Sequence, residues 1–356
     1  MVSKIIGYVL DNNQRPVNKV KISRKGKIVA ESEDDGFFSV TLAKTECRAA
    51  LTFMKEGFVS NTKVFNSKSQ SKRIIIIWPI AYQCKFNPSQ ELDIVLGGSR
   101  IQVPANALVG IDGKKIKDSA ILQFTWFDVT KQFDRAAASG DFTGKMLDGK
   151  ITRLNSYGIF DLGLFDQKGR SLKLQSGAVI DLSIPVPPKL IKQSPKSVGF
   201  FSFDTSSGIW VQSGNFNFIP RTLTYNGSIT RFGGSHNLDD PQDTTCVTIQ
   251  VVRMWDNAPM PDFYVIANGS QWYSWGTTDA NGFVCLLVQR NAIFTAESSG
   301  SLGMSDYGTP EPATFTAPDF SSGEIDCGNP VLCPFLGTVQ VDLIVGRPHY
   351  GRLKYF

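Results

Sequence analysis

The chain has 356 residues, 42% hydrophobic, 11% aromatic and 19% charged, the composition of a globular protein with a substantial core. Its net charge of +5 is small, and its basic residues alternate with apolar ones along extended runs, so a nucleic-acid surface is not expected. No apolar run approaches the ~18 residues that span a bilayer. The charge is uneven along the chain. Residues 1–85 hold 15 Lys and Arg against 7 Asp and Glu, a net of +8, whereas residues 240–356 hold 5 against 12, a net of −7. Solvated faces explain such a split, and so does head-to-tail attraction between the ends of neighbouring copies.

The first predicted strand covers residues 5–10 and ends at a polar turn, Asp11-Asn12-Asn13-Gln14. The short apolar stretch before it does not make a signal peptide: either export does not use one, or the numbering begins after its removal. Pro16 opens an alternating run through Val17, Val20 and Ile22. A basic turn, Arg24-Lys25-Gly26-Lys27, leads to a strand at 28–30, and Asp34-Asp35-Gly36 to one at 37–42. Asp-Gly between extended runs signals a tight turn, because glycine accepts positive φ. Runs at 47–53, 57–59 and 74–80 complete a first domain, residues 1–85.

The most distinctive stretch, residues 96–128, opens a larger middle domain at 86–240. It contains Leu96-Gly97-Gly98-Ser99, the run Val103-Pro104-Ala105-Asn106-Ala107-Leu108, a turn at Asp112-Gly113 and a strand through Phe124-Thr125-Trp126-Phe127-Asp128. Further strands are expected at 156–166, 179–186 and 198–203, then a turn at 204–208 and Ile209-Trp210-Val211. The domain closes with Phe232-Gly233-Gly234-Ser235-His236-Asn237-Leu238-Asp239.

The last domain, 241–356, repeats the plan of the first. A strand at 246–252 meets a turn at Asp256-Asn257-Ala258-Pro259, then Pro261 and a strand at 263–267. A turn at Asn268-Gly269-Ser270, the aromatic run Trp272-Tyr273-Ser274-Trp275, and Asp279-Ala280-Asn281-Gly282 before a strand at 283–288 follow. Pro16 to Gly36 spans 20 residues and Pro261 to Gly282 spans 21, and each glycine is followed by Phe. Both blocks resemble carboxypeptidase regulatory-like, or transthyretin-like, β-sandwiches, on Gly7-Tyr8-Val9, Pro16, Asp35-Gly36-Phe37 and Gly57-Phe58 in the first and Asp256, Pro261 and 278–283 in the second. The middle segment resembles that of cartilage intermediate layer protein-like proteins, reminiscent of ZU5 domains. That likeness is carried by Gly97-Gly98, Val103-Pro104-Ala105-Asn106-Ala107-Leu108, Trp126-Phe127-Asp128, the Tyr157 to Asp161 run, Pro185-Val186-Pro187-Pro188, and the Phe232 to Asp239 close. The resemblance implies an all-β fold of three consecutive sandwiches, two of them transthyretin-like or Ig-like, and a structural rather than enzymatic role.

Candidate chemistry is sparse. Self-cleaving ZU5 domains carry His-Phe-Ser; here Arg231-Phe232-Gly233 lacks both base and nucleophile, so a structural turn is expected. With only His236 and His349 and no Gly-x-Ser-x-Gly elbow, no hydrolase triad is expected. Asp34-Asp35, Asp239-Asp240 and Asp279 are read as turn and strand-end residues rather than calcium ligands, so no metal or cofactor is assigned. Asn226-Gly227-Ser228 and Asn268-Gly269-Ser270 fit a glycosylation pattern but are read as hairpin turns. Cys47, Cys84, Cys246, Cys285, Cys327 and Cys333 are the candidate disulfide residues, two in the first block and four in the last. Trp272, Tyr273 and Trp275 are candidates for stacking on a glycan or a protein partner, with core packing the favoured reading. Three functions are carried forward: a structural or adhesive protein, extracellular or surface-associated, that binds other proteins or itself; a subunit of a large particle or filament, in which case a cytoplasmic assembly; and a carbohydrate-binding module.

Overall fold

The computed structural model describes residues 2–43, 48–65, 73–116, 118–261, 263–270, 272–299, 307–308, 312–319 and 335–343. The chain is all-β, in three consecutive units. The first contains β1 (Val2–Leu10), β2 (Lys21–Arg24), β3 (Lys27–Glu31), β4 (Phe37–Ala43), β5 (Ala49–Met54), β6 (Asn61–Phe65) and β7 (Arg73–Ile76). They form two sheets, β4-β1-β7 and β3-β2-β5-β6. Strand alternation sends Ile5, Val9, Phe38, Val40 and Leu42 from one sheet against Ile22, Leu51, Phe53 and Phe65 from the other. The apolar run at 74–80 is a strand only as far as Ile76; Pro79 instead bridges Phe58, since proline donates no ladder hydrogen bond.

The middle unit contains β8 (Tyr82–Phe86), β9 (Leu92–Leu96), β10 (Ser99–Val103), β11 (Leu108–Val109), β12 (Ala120–Phe127), the helix α1 (Gln132–Ala137), β13 (Thr143–Lys145), β14 (Ile151–Asp166), β15 (Lys173–Leu174), β16 (Ile180–Pro185), β17 (Ser197–Asp204), β18 (Ile209–Ile219), β19 (Thr224–Ile229) and β20 (Ser235–Gln242). One sheet runs β8-β12-β14-β20-β17-β18-β19-β16-β10-β9, and β13 joins β14 to β18. That join closes β14, β20, β17, β18 and β13 into a ring. The stretch 96–128 therefore supplies strands to both ends of the sheet, β10 beside one edge strand and β12 beside the other. Asn226-Gly227-Ser228 lies inside β19 rather than in a turn, with Gly227 leaving room for the Phe216 ring.

The last unit contains β21 (Thr244–Arg253), β22 (Tyr264–Asn268), β23 (Tyr273–Thr277), β24 (Phe283–Gln289), β25 (Ile293–Ser299), β26 (Tyr307–Gly308), β27 (Ala313–Thr316) and β28 (Phe335–Leu343). Its main pairings reproduce those of the first, although β26 also links β25 to β28 and so joins the two halves in one sheet. β24-β21-β28 matches β4-β1-β7, including the parallel partner of the first strand, and β23-β22-β25-β27 matches β3-β2-β5-β6.

The repeat holds at the level of single hydrogen bonds. Val9 N donates to Gly36 O at 2.9 Å, and Val251 N to Gly282 O at 2.8 Å. Val17 N donates to Val9 O, and Met260 N to Val251 O. Ser32 Oγ donates to Val17 O and accepts from Val20 N; Thr278 Oγ1 donates to Met260 O and accepts from Phe263 N. These matches pair Pro16 with Pro259, not with Pro261, which corrects the sequence register by two residues. Gly36 and Gly282 adopt φ of +81° and +75°, and a Cβ on either would lie 2.6 Å from the Val9 or Val251 carbonyl oxygen. Both glycines are fixed by the same close approach.

Candidate functional site

β23 is an edge strand, and it is docked. Trp272 is 1% exposed and packs against Phe294, while Gly269 sits against its indole. Tyr273 meets Phe142 edge-on at 5.2 Å and donates its hydroxyl to Gly140 O at 3.1 Å. The Trp275 ring lies under the Arg73 guanidinium, 5.3 Å from its centroid. Of the stacking candidates Trp272, Tyr273 and Trp275, the first is packed in the core and the other two face neighbouring units. Strand alternation alone does not report that another unit covers an edge.

The segment that receives β23 is 136–143, the end of α1 and the turn that follows it, and all three units converge on it. Gly140 N donates to Thr62 O at 2.7 Å, so the outer edge of β6 is paired. Half-buried Lys63 donates to Ala136 O at 2.7 Å and to Ala138 O. Asp141 is buried and receives a forked contact from Arg48, Nη1 to Oδ2 at 2.8 Å and Nη2 to Oδ1 at 3.2 Å. Arg48 also donates to Gly208 O at 3.2 Å. Buried Arg153 donates to Asp141 O and, at 3.2 Å, to Ser274 Oγ of the last unit. Burial pushes the Asp141 carboxyl up, but the Arg48 and Arg153 guanidinium groups outweigh it and hold the acid below the usual carboxylate range. Burial pulls the Lys63 ammonium down to about 7 against the attraction of Asp141.

The covalent joins are equally tight. β20 ends at Gln242 and β21 starts at Thr244, so one residue, Asp243, separates the middle and last units. That residue faces Lys150 and Arg290, each at 3.6 Å. On the other side, Trp78 packs on Phe127 and Phe133 of the middle unit. The junction was not foreseen: Arg48, Asp141 and Arg153 lie far apart in sequence and belong to no motif.

A buried polar seam runs along β20. The His236 ring stacks on Phe200 at 5.2 Å and meets Phe160 at a tilt at 5.3 Å, its Nδ1 lies 3.1 Å from Ser202 Oγ, and its Nε2 has no partner. Burial drives its pKa down to about 4. His236 is 1% exposed, while Ser202 is half-buried. On the adjacent strand, burial raises the Asp161 carboxyl to about 7, opposed by a hydrogen bond with Ser235. Asp239 is buried, and burial raises its carboxyl well above the ordinary range. Gly233 sits in a turn, donating to Leu162 O at 2.9 Å. Asp279 Oδ1 accepts from Asn281 N and Phe283 N, so that carboxylate shapes its turn. Among the described residues no three His, Cys, Asp or Glu side chains gather in a metal-holding group.

Cys84 is a free thiol, raised in pKa by burial. Its candidacy for a disulfide is corrected: β8 belongs to the middle sheet, with Cys84 opposite Leu122. Cys246 and Cys285 are disulfide-bonded. Cys47, Cys327 and Cys333 lie outside the described residues.

No family model matches the chain, and no curated protein matches it. Among solved structures, the Bacillus anthracis TIE protein aligns with 96% of this chain and 50% of its own, at 10% identity and a TM-score of 0.20. The chain thus spans about half the length of that protein. The major pilin subunit BcpA of Bacillus cereus aligns over 96% and 100%, at 8% identity and a TM-score of 0.18. A streptococcal ancillary pilin aligns over 98% and 100%, at 9% and 0.21. Likeness at this level carries no argument about what this chain does. By its own fold and site it is an all-β protein of three units joined by an ionic junction whose carboxylate, Asp141, is buried.

Proposed function

We propose that this is a non-enzymatic structural or adhesive protein, surface-associated or extracellular, that works through protein–protein contacts. The observation that carries the reading is the junction: buried Asp141, Arg153 and Ser274, with Arg48 closing it from the solvent side, tie all three units together through hydrogen bonds. Removing either partner of a buried ion pair is strongly destabilising, so the units hold a fixed relation rather than opening around a substrate. The disulfides at Cys246 and Cys285 support an oxidising compartment. The motif resemblance to cartilage intermediate layer protein-like chains, with transthyretin-like units around a ZU5-like one, points the same way. A second reading, a subunit of a larger assembly, is favoured by the opposed end charges, +8 over residues 1–85 and −7 over 240–356. Burial of Trp272 and docking of Tyr273 and Trp275 leave the glycan reading without its platform. Light scattering on a sizing column at low and high salt tests the first reading against the second. An adhesive protein runs as a monomer or small oligomer independent of salt; an assembly subunit grows with concentration and shrinks with salt. Large aggregates insensitive to salt would contradict both.

A further inference from the structure

The two repeats differ at one turn. In the first, the residues between Leu10 and its bridge partner Pro16 are polar, and Asp11 Oδ1 caps Asn13 N and Arg15 N. In the second, the residues between Val252 and Pro259 are one longer and carry Met254 and Trp255, 46% and 54% exposed. The Met254 and Trp255 side chains are largely solvent-exposed, yet this tip is held firmly. Arg253 grips Asp256 with Nε–Oδ1 at 2.8 Å and Nη2–Oδ2 at 2.5 Å, and its guanidinium lies 5.1 Å from the Trp255 ring centroid. Met254 N donates to Val341 O at 3.0 Å, and Asn257 N to Arg253 O at 2.9 Å. Such a tip presents a pre-organised apolar knob with little entropy left to lose on docking.

A cleft lined by basic side chains lies in the other half of the chain. Where the turn at 204–208 meets the first unit, a cleft of about 360 Å³ is walled by Arg24, Lys25, Arg48 and Ser207 and floored by Ala49 and Ala50. We propose that the Met254–Trp255 knob of one copy docks in this cleft of a second copy, a head-to-tail contact that deepens, and rests on, the assembly-subunit reading. The exposure of Trp255 shows that the knob does not fill the cleft of its own chain. The basic first block and the acidic last block steer the two surfaces together. A cation from the cleft wall stacks on the indole, which Trp favours above other rings. Because knob and cleft are different surfaces, the contact is heterologous and extends into a chain unless the rotation closes a ring.

Two single variants test it by sedimentation velocity at low salt, with circular dichroism to show that both fold. Trp255→Ala removes the knob and Lys25→Glu reverses the charge on an exposed turn residue of the cleft. Each is expected to weaken self-association about 30-fold, the loss typical of a central Trp anchor. Mixing them pairs the intact cleft of the first with the intact knob of the second, and the expected product is a complex of two chains that does not grow. Self-association of Trp255→Ala at wild-type strength would overturn the inference while leaving the assembly reading standing. So would a mixture that stays monomeric while wild type grows. Wild type monodisperse and monomeric at every salt level would overturn both.

Discussion

His236→Phe isolates the acid sensitivity of the buried seam. His236 is folded with a pKa of about 4, against 6.5 for an ordinary histidine, because burial disfavours its charged form. A group whose folded pKa is depressed contributes stability above its unfolded pKa and loses it as pH falls through the folded one. The window is therefore pH 6.5 down to about 4, and the loss across it is about 3 kcal/mol. Phenylalanine keeps the ring between Phe160 and Phe200 and removes the unpartnered Nε2, so at neutral pH the variant should lie within about 1 kcal/mol of wild type. Asp161 pulls the other way. Its folded pKa of about 7 is raised, so its contribution is full below 3.8 and fades as pH climbs through 7. Comparing variant with wild type at each pH cancels that contribution. Urea titrations followed by tryptophan fluorescence at several pH values between neutral and 4 give the difference directly. The variant should gain on wild type steadily below pH 6.5; a difference constant across pH would refute the assignment.

Other expectations follow from the repeat and the docked aromatics. Gly36→Ala and Gly282→Ala should each destabilise by about 2 kcal/mol, measured by thermal melting, because both meet a carbonyl oxygen at 2.6 Å with positive φ; clearly unequal losses would argue against structural equivalence of the turns. Trp272→Ala should lose about 3–5 kcal/mol in urea titration with no change in binding across a glycan panel, since its indole is core; lost glycan binding in a stably folded variant would restore the platform reading. Cys285→Ser should lower stability by about 2–5 kcal/mol under oxidising conditions and match wild type under reducing ones.

Much of the fold was legible because turns and alternation are local. Asp-Gly-Phe at Asp35-Gly36-Phe37 and Asn-Gly-Phe at Asn281-Gly282-Phe283 located the same hairpin corner twice, and the strands around them followed. The register error at Pro261 arose because proline spacing was counted while the extra residues sit in the longer tip after Val252 and in the β22–β23 hairpin. The site was not legible. Arg48 and Asp141 are 93 residues apart, and Arg153 and Ser274 are 121 apart. No local pattern marks a pair that becomes neighbours only when units pack. Docking of Tyr273 and Trp275 is hidden for the same reason: alternation exposes one face of β23, and the middle and first units then cover it. Trp255, an aromatic that does reach solvent, sits in a turn between Arg253 and Asp256, where an i, i+3 charge pair is the available signal.

Asp141→Asn in the calorimeter bears most directly on the claim that the junction makes one body of three units. The change leaves Arg48 and Arg153 without their shared charge and should cost about 3–5 kcal/mol. Wild type is predicted to unfold in one cooperative transition, and the variant in separate, lower transitions as the units uncouple. Independent transitions already present in wild type, with the variant unchanged, would contradict it.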